Sequence, residues 1–427
     1  MAKKKKPSLK LLEEKINEKK RKDSFAKRIK SIACTMASPD ILPTISNDMI
    51  ADLYLIKYPP FRAKAHPEGS VTKNMVKKYD DLMNSFISTY NVDFDNNESI
   101  PLRLCMSDAL LLLRYIENVE EYHNPNAAEL KAAFAENMVD YAFYDYVLQA
   151  IETIAHDTNV FLSDMHKNII VANIDSTAPC LYYEPDNILR LKSYPAETGS
   201  MKVDGHSRKI IKVVWYFDSA PPSFSIVKPA QLGFKGAGAD EPLQVFIQSH
   251  ALDNLQKRID ITPGIMHFGV WAAFNNDVIP YVKKRNHSLI SYELSNERVG
   301  YLLVEWVENI LLIRTFLFIT NDGTPEGDKL TALLGITKDD KTYLAIHTLP
   351  AFNAYHMENH VGMSEAFTAA GCGGLLKLRN LEQFSLKILK EQDPASIQEY
   401  TADSKHFQGQ DKPDSNRSVT GSPEKSL

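Results

Sequence analysis

Apolar positions at the start of the chain recur at spacings of three and four. Leu9, Leu12 and Ile16, then Phe25 and Ile29, follow this rhythm and predict an amphipathic helix. The stretch SDALLLLRYIENVEE starts with Ser107 or Asp108 as expected N-cap, because a short oxygen-bearing side chain accepts from the first free N–H groups. Its apolar residues run nearly all round, as in a helix buried on much of its surface. Residues 126–157, rich in Ala, Leu and Glu, predict two helices or one long bent one. Within them Tyr141, Phe143, Tyr144 and Tyr146 cover more than one face, which fits packing better than stacking on bases.

After residue 160 the texture changes to short β-branched and aromatic runs, NIIVANI, KIIKVVWYF and SFSIVKP, separated by Pro, Gly, Asp and Asn. SYPAETGSMKVDGHSRK and QLGFKGAGADEPL are expected as loops. Residues 244–334 form one unit. LQVFIQ predicts a strand, and SHALDNLQKRI a short helix with the apolar stripe Leu252, Leu255 and Ile259. TPGIMHFGVWAAFN predicts a second helix, capped by Thr262 with Pro263 in its first turn. SLISYEL, RVGYLLVEWV and NILLIRTFLFI predict a three-stranded meander, its last two strands joined by Glu308–Asn309.

The expected fold class is therefore α+β. A partly disordered basic arm over 1–30 precedes a helical domain over 31–160 and an α+β domain over 161–402. A polar, disordered tail is expected over 403–427. A chain of 427 residues with 44% hydrophobic content has enough apolar surface for two cores. Cys34, Cys105, Cys180 and Cys372 lie far apart with no CxxC pair, which argues against a disulfide framework and fits a reducing compartment. The longest apolar run, Ile310 to Ile319, is short and carries Arg314, so no membrane span is expected. The expected location is cytoplasmic.

Charge changes the picture more than composition does. The net charge of -5 conceals an arm with 13 Lys or Arg against four acids, net +9, on a body of net -14. Such a layout suits RNA or another polyanion, or docking on an acidic protein partner; its bland reading is a solvated, frayed helix.

Candidate chemistry centres on His250. Histidine serves as acid or base near neutral pH. Lys257, seven residues on, shares its helix face at about 10 Å along the axis. Arg258 is turned from that face but close enough to clamp a neighbouring phosphate. Lys283, Lys284, Arg285 and His287, expected in a loop before the meander, and Arg314 in its last strand supply further positive charge. The bland alternative makes His250 the residue after a serine cap, with Lys257 and Arg258 placed favourably at the negative end of a helix dipole.

The order strand, two helices, meander, with His250, Ala251 and Arg258 in the first helix, resembles bacterial toxin-like domains related to RelE-type ribonucleases. The resemblance spans about residues 244–320, and Asn254 stands where that group carries an arginine. It implies a bacterial, nucleic-acid-interacting protein with a ribonuclease-type segment, active or inactive. Active, it would cleave RNA without metal or other cofactor, His250, Lys257 and Arg258 acting at the scissile phosphate. The competing class is a non-catalytic scaffold or regulator that binds another protein through its helical domain and arm.

Other motifs carry less. His356 and His360 in HMENH have the i, i+4 spacing that puts two imidazoles on one side of a helix, but Glu358 falls out of place for a zinc-protease pattern. Thr324, Pro325 and Gly335 describe a helix from cap to cap. Cys372 lies in a glycine-rich turn with no base beside it, and Gly233, Gly236 and Gly238 do not open a helix after a strand as a phosphate cradle does.

Overall fold

The computed structural model describes residues 9–94, 97–138, 142–176, 187–218, 220–275, 280–284, 287–386 and 391–401. The chain is α+β and divides into two units, Met1–Leu162 with Ile170–Tyr194, and Ser163–Ile169 with Pro195–Leu427. Residues 170–194, strand-like in sequence, thus belong to the first unit. AKKKKP and the tail from 403 lie outside the described residues.

In the first unit α1 is a single helix, Leu9–Met36, running through the arm boundary expected at residue 30. Phe25, Ile29, Ile32 and Ala33 fix its second half in the core. From Glu14 to Ser24 every side chain is exposed except the half-buried Glu18. Helices α2 (Asn47–Leu55) and α3 (Lys73–Thr89) start at Ser46 and Thr72, whose side chains accept from Met49 N and Met75 N. That bond satisfies an N–H left free at a helix start.

Residues 126–157 form short helices over Ala127–Ala133 and Ala135–Met138 before the long helix that follows. Helix α4 is Leu110–Asn118 and α5 is Ala142–Leu162. Phe143 packs on the core, whereas Tyr144 and Tyr146 are exposed and Tyr141 lies outside the described residues.

The cap expected at Ser107 or Asp108 is not one. A helical turn at Leu102–Leu104 leads into a wide π-turn, Cys105–Ala109, that merges with α4. Asp108 is buried inside it and accepts from Arg28 Nε at 2.6 Å. A charge-assisted bond to a residue 80 positions away outweighs local capping preference. Strands β1 (Arg62–Ala65), β2 (Asn168–Ser176) and β3 (Asn187–Pro195) form a small sheet in the order β1-β3-β2, with β1 parallel to β3.

The second unit is built on one large sheet. Its strands are β4 (Thr198–Val203), β5 (His206–Lys212), β6 (Leu243–Gln248), β7 (Pro280–Lys284), β8 (His287–Leu294), β9 (Glu297–Val307) and β10 (Ile310–Phe318). They run in the order β7-β8-β9-β10-β6-β5-β4, and Ile226–Val227 also pairs with β6. Strands β6 and β10 are parallel, and their Val245, Ile247, Leu311 and Ile313 are fully buried.

Helices α6 (Ser249–Ile259) and α7 (Pro263–Asn275) follow β6, and Leu252, Leu255 and Ile259 are buried as their spacing predicts. Helix α8, Pro325–Leu334, has Thr324 accepting from Gly327 N and Gly335 left-handed at its end, as its sequence predicts. Two residues, Glu308 and Asn309, join β9 to β10.

Two expectations change. The loop expected at SYPAETGSMKVDGHSRK is the β4–β5 hairpin, turned at Asp204–Gly205 with φ of 49° and 79°. An Asp-Gly pair tolerates these positive φ values, which match the twist of a tight hairpin. The meander has four strands rather than three, because Lys283 and Lys284 lie in edge strand β7, paired to β8. Lysines on an edge strand disfavour pairing with another chain.

Candidate functional site

Helix α6 starts immediately where β6 ends. Gln248 is its N-cap, without a side-chain bond, so Ser249 is not the cap that the sequence suggests. His250 and Lys257 are both exposed on α6. His250 Nε2 lies 3.1 Å from Asn254 Nδ2, which also donates to Thr315 Oγ1 at 3.1 Å. Asn254 thus ties the histidine to β10 and offers no cation.

Arg258 turns elsewhere. Its Nη1 donates to the carbonyl of His347 at 3.3 Å, and burial pushes its pKa below the usual arginine value. It holds the backbone after α8 and does not join His250.

Arg314 owes its position to a bulge in β10. Thr315 pairs with Leu303 and Ile313 with Val304, so Arg314 is the extra residue between them. A bulge shifts the alternation of faces, and here it brings Arg314 and Thr315 to the face of Glu305. Arg314 forms hydrogen-bonded ion pairs with both Glu305 and Asp204. Burial opposes its charge, but the bonds to Asp204 and Glu305 outweigh that and raise its pKa. His287, directly across from Glu305 on β8, contacts the same carboxylate.

The register therefore gathers His287, Glu305, Arg314 and Thr315 on one face, with Asn254 and His250 reached through Thr315. Two carboxylates surround one guanidinium, so the positive charge that Arg314 brings is already compensated. For Lys283 and Lys284 the structure fixes the strand position only, and Arg285 lies outside the described residues.

The geometry provides a histidine with an orienting amide, and a cation committed to carboxylates. Cleavage of RNA by its 2′-hydroxyl needs a cationic group available to the phosphorane. Arg314 and Arg258 are both engaged, which leaves Lys257 as the exposed cation on the helix of His250.

His356 and His360 do not share a helix. His360 caps Val361–Ala370 by accepting from Met363 N at 3.3 Å, while His356 is left-handed and faces Glu358 and Glu391. Among the described residues no group of three His, Cys, Asp or Glu is placed to hold a metal ion. Burial and nearby Glu326 push the Cys372 thiol up to about 12, a poor state for a nucleophile.

Two buried polar clusters had no signal in the sequence. His267 on α7 is 2% exposed, and its Nδ1 accepts from Met165 N at 3.0 Å. Burial pushes its pKa down to about 4 against the opposing pull of Asp164. Glu326 on α8 receives the Tyr301 hydroxyl at 2.9 Å and Arg298 at 3.3 Å. Both clusters close polar groups inside the unit, where an unpaired group is costly.

Comparison with known protein families, curated proteins and solved structures gives no match. No helix among the described residues is long and apolar enough to cross a membrane.

Proposed function

We propose that the protein binds RNA without cleaving it, and that the binding element is the projecting half of α1. The observation that carries this reading is the state of the cations there. Lys15, Lys19, Lys20, Arg21 and Lys27 are exposed and form no ion pair among the described residues, unlike Arg314. Lys20 and Lys27, two turns apart, lie on one side of the helix about 10 Å from each other, so both can face one polyanion. The segment that resembles a ribonuclease keeps its histidine and Lys257, but Asn254 stands in place of a cation and Arg258 and Arg314 are engaged elsewhere.

Single-stranded RNA binding followed by fluorescence anisotropy between about 50 and 200 mM salt tests the proposal. Wild type is expected to weaken steeply with salt. Reversing charge at Lys15, Lys19, Lys20 and Lys27 with glutamate is expected to cost about a hundredfold in affinity and flatten the logarithmic slope by about 3. Unchanged affinity and slope in the variant would refute it.

A second reading, docking on an acidic protein partner, is favoured by Ile16, Leu55 and Ile56, which are exposed near each other's helices. Glu18 of α1 accepts from Tyr54 of α2 at 3.0 Å, which brings the end of α2 beside the projecting half. Ile16→Ser with Leu55→Ser separates the two, since RNA affinity would not depend on these apolar groups.

A further inference from the structure

A cavity of about 390 Å³ opens in the first unit, where α1, the residues after α2, α3 and the π-turn meet. It falls within the range of small-ligand sites, about 300–1,000 Å³. Three cations line it: Arg28, Lys57 and Arg103. Against them stands the carboxylate of Asp108, whose side chain is 4% exposed. Arg28 is bound to that carboxylate through Nε, and the Lys57 amine lies over the Tyr54 ring, 3.7 Å from its centre. Arg103 is exposed and forms no ion pair among the described residues. The site therefore carries excess positive charge at its rim and, in Asp108, a buried carboxylate acceptor.

The walls are of another kind. Tyr58 and Phe61 line the cavity together with Phe25. Flat aromatic surface favours a planar apolar body, which stacks on or packs edge-on against such rings. The π-turn supplies the third feature. Its widened backbone puts Asp108 on the cavity wall while Cys105 and Ala109 remain in the core. Such wide turns inside helices are frequent at functional sites. A carboxylate accepts through several lone-pair directions, so Asp108 can hold Arg28 and still take an N–H or O–H from a ligand.

We infer that this cavity binds a small phosphorylated planar compound of nucleoside monophosphate size. The phosphate meets Arg103 and Lys57 at the rim, the base lies against Tyr58 and Phe61, and Asp108 receives a donor from the base or sugar. Guanidinium matches phosphate with paired N–H donors, so Arg103 supplies most of the charge recognition. The inference goes beyond RNA binding by the projecting half of α1 and uses a different part of the molecule.

Isothermal titration calorimetry of the full chain with AMP, GMP, CMP and UMP tests it, with adenosine and inorganic phosphate as controls. At least one monophosphate is expected to saturate at or below about 1 mM, with both controls at least about tenfold weaker. Arg103→Ala, an exposed change that leaves the core intact, is expected to weaken that binding about tenfold. The glutamate variant at Lys15, Lys19, Lys20 and Lys27 is expected to bind the monophosphate as wild type does, whatever happens to its RNA affinity. Four results would overturn the inference: no saturation by any monophosphate, phosphate alone binding equally well, no effect of Arg103→Ala, or loss of binding in the lysine variant.

Discussion

The projecting half of α1 and the sheet face around Arg314 both look like cationic sites in sequence, yet the structure treats them oppositely. On α1 the lysines stand in solvent with their charge available. On the sheet, Arg314 is held by Glu305 and Asp204, and His287 leans on the same Glu305. The difference comes from what each element can bring alongside. The exposed part of α1 has Tyr54 of α2 beside it and carries Glu14, Glu18 and Asp23, yet none of these acids forms an ion pair with its cations among the described residues. A strand inside a sheet has a neighbour on each side: Glu305 comes from the paired strand β9, and Asp204 from the turn of the β4–β5 hairpin. Counting basic residues measures the potential for a field; pairing decides whether any field remains.

That contrast can be sharpened by acid. His267 in the second unit has a folded pKa near 4, below its unfolded value, because burial disfavours its charged form. Between those values the unfolded chain binds more protons, so stability rises with pH across the window and is lost as pH falls. The loss should reach up to about 3 kcal/mol between roughly pH 6.5 and 4. Urea unfolding of wild type and His267→Gln at several pH values reads it as a difference, and equal pH dependence in both would contradict it.

Removing Arg314 should act on stability rather than on binding. Arg314→Ala leaves Glu305 and Asp204 without their cation and should cost about 1–3 kcal/mol of unfolding free energy. RNA affinity should stay within about twofold, since a compensated guanidinium releases no counterions. A large loss of affinity with unchanged stability would move the binding site to the sheet. The smallest effect is expected at His250. His250→Ala should change stability by less than about 0.5 kcal/mol, as for an exposed side chain, and leave an RNA-integrity assay unaltered. RNA cleaved by wild type and spared by this variant would restore the catalytic reading.

Much of the scaffold was legible because periodicity reports burial. The α6 stripe, the cap-to-cap description of α8 and the two-residue turn at Glu308–Asn309 follow from local rules and appear in the structure. Misreadings occur where a distant residue overrides a local preference. Asp108 looks like a cap, but Arg28 draws it into a π-turn. VDGH does carry a hairpin signal in its Asp-Gly pair, and taking the stretch as a loop hid the acid that meets Arg314. Arg314 stands out in sequence as a charge in an otherwise apolar strand. Only the register, with its one-residue bulge, shows that it is paired. Asn254 was visible as a departure from the toxin-like pattern, but its bond to Thr315 depends on which helix face meets β10.

The most direct measurement compares salt dependence of RNA binding in three proteins: wild type, the α1 lysine-to-glutamate variant, and Arg314→Ala. A flattened slope for the helix variant alone, with wild-type and Arg314→Ala slopes superimposed, is the predicted result. A slope flattened by Arg314→Ala and untouched by the helix changes would contradict it.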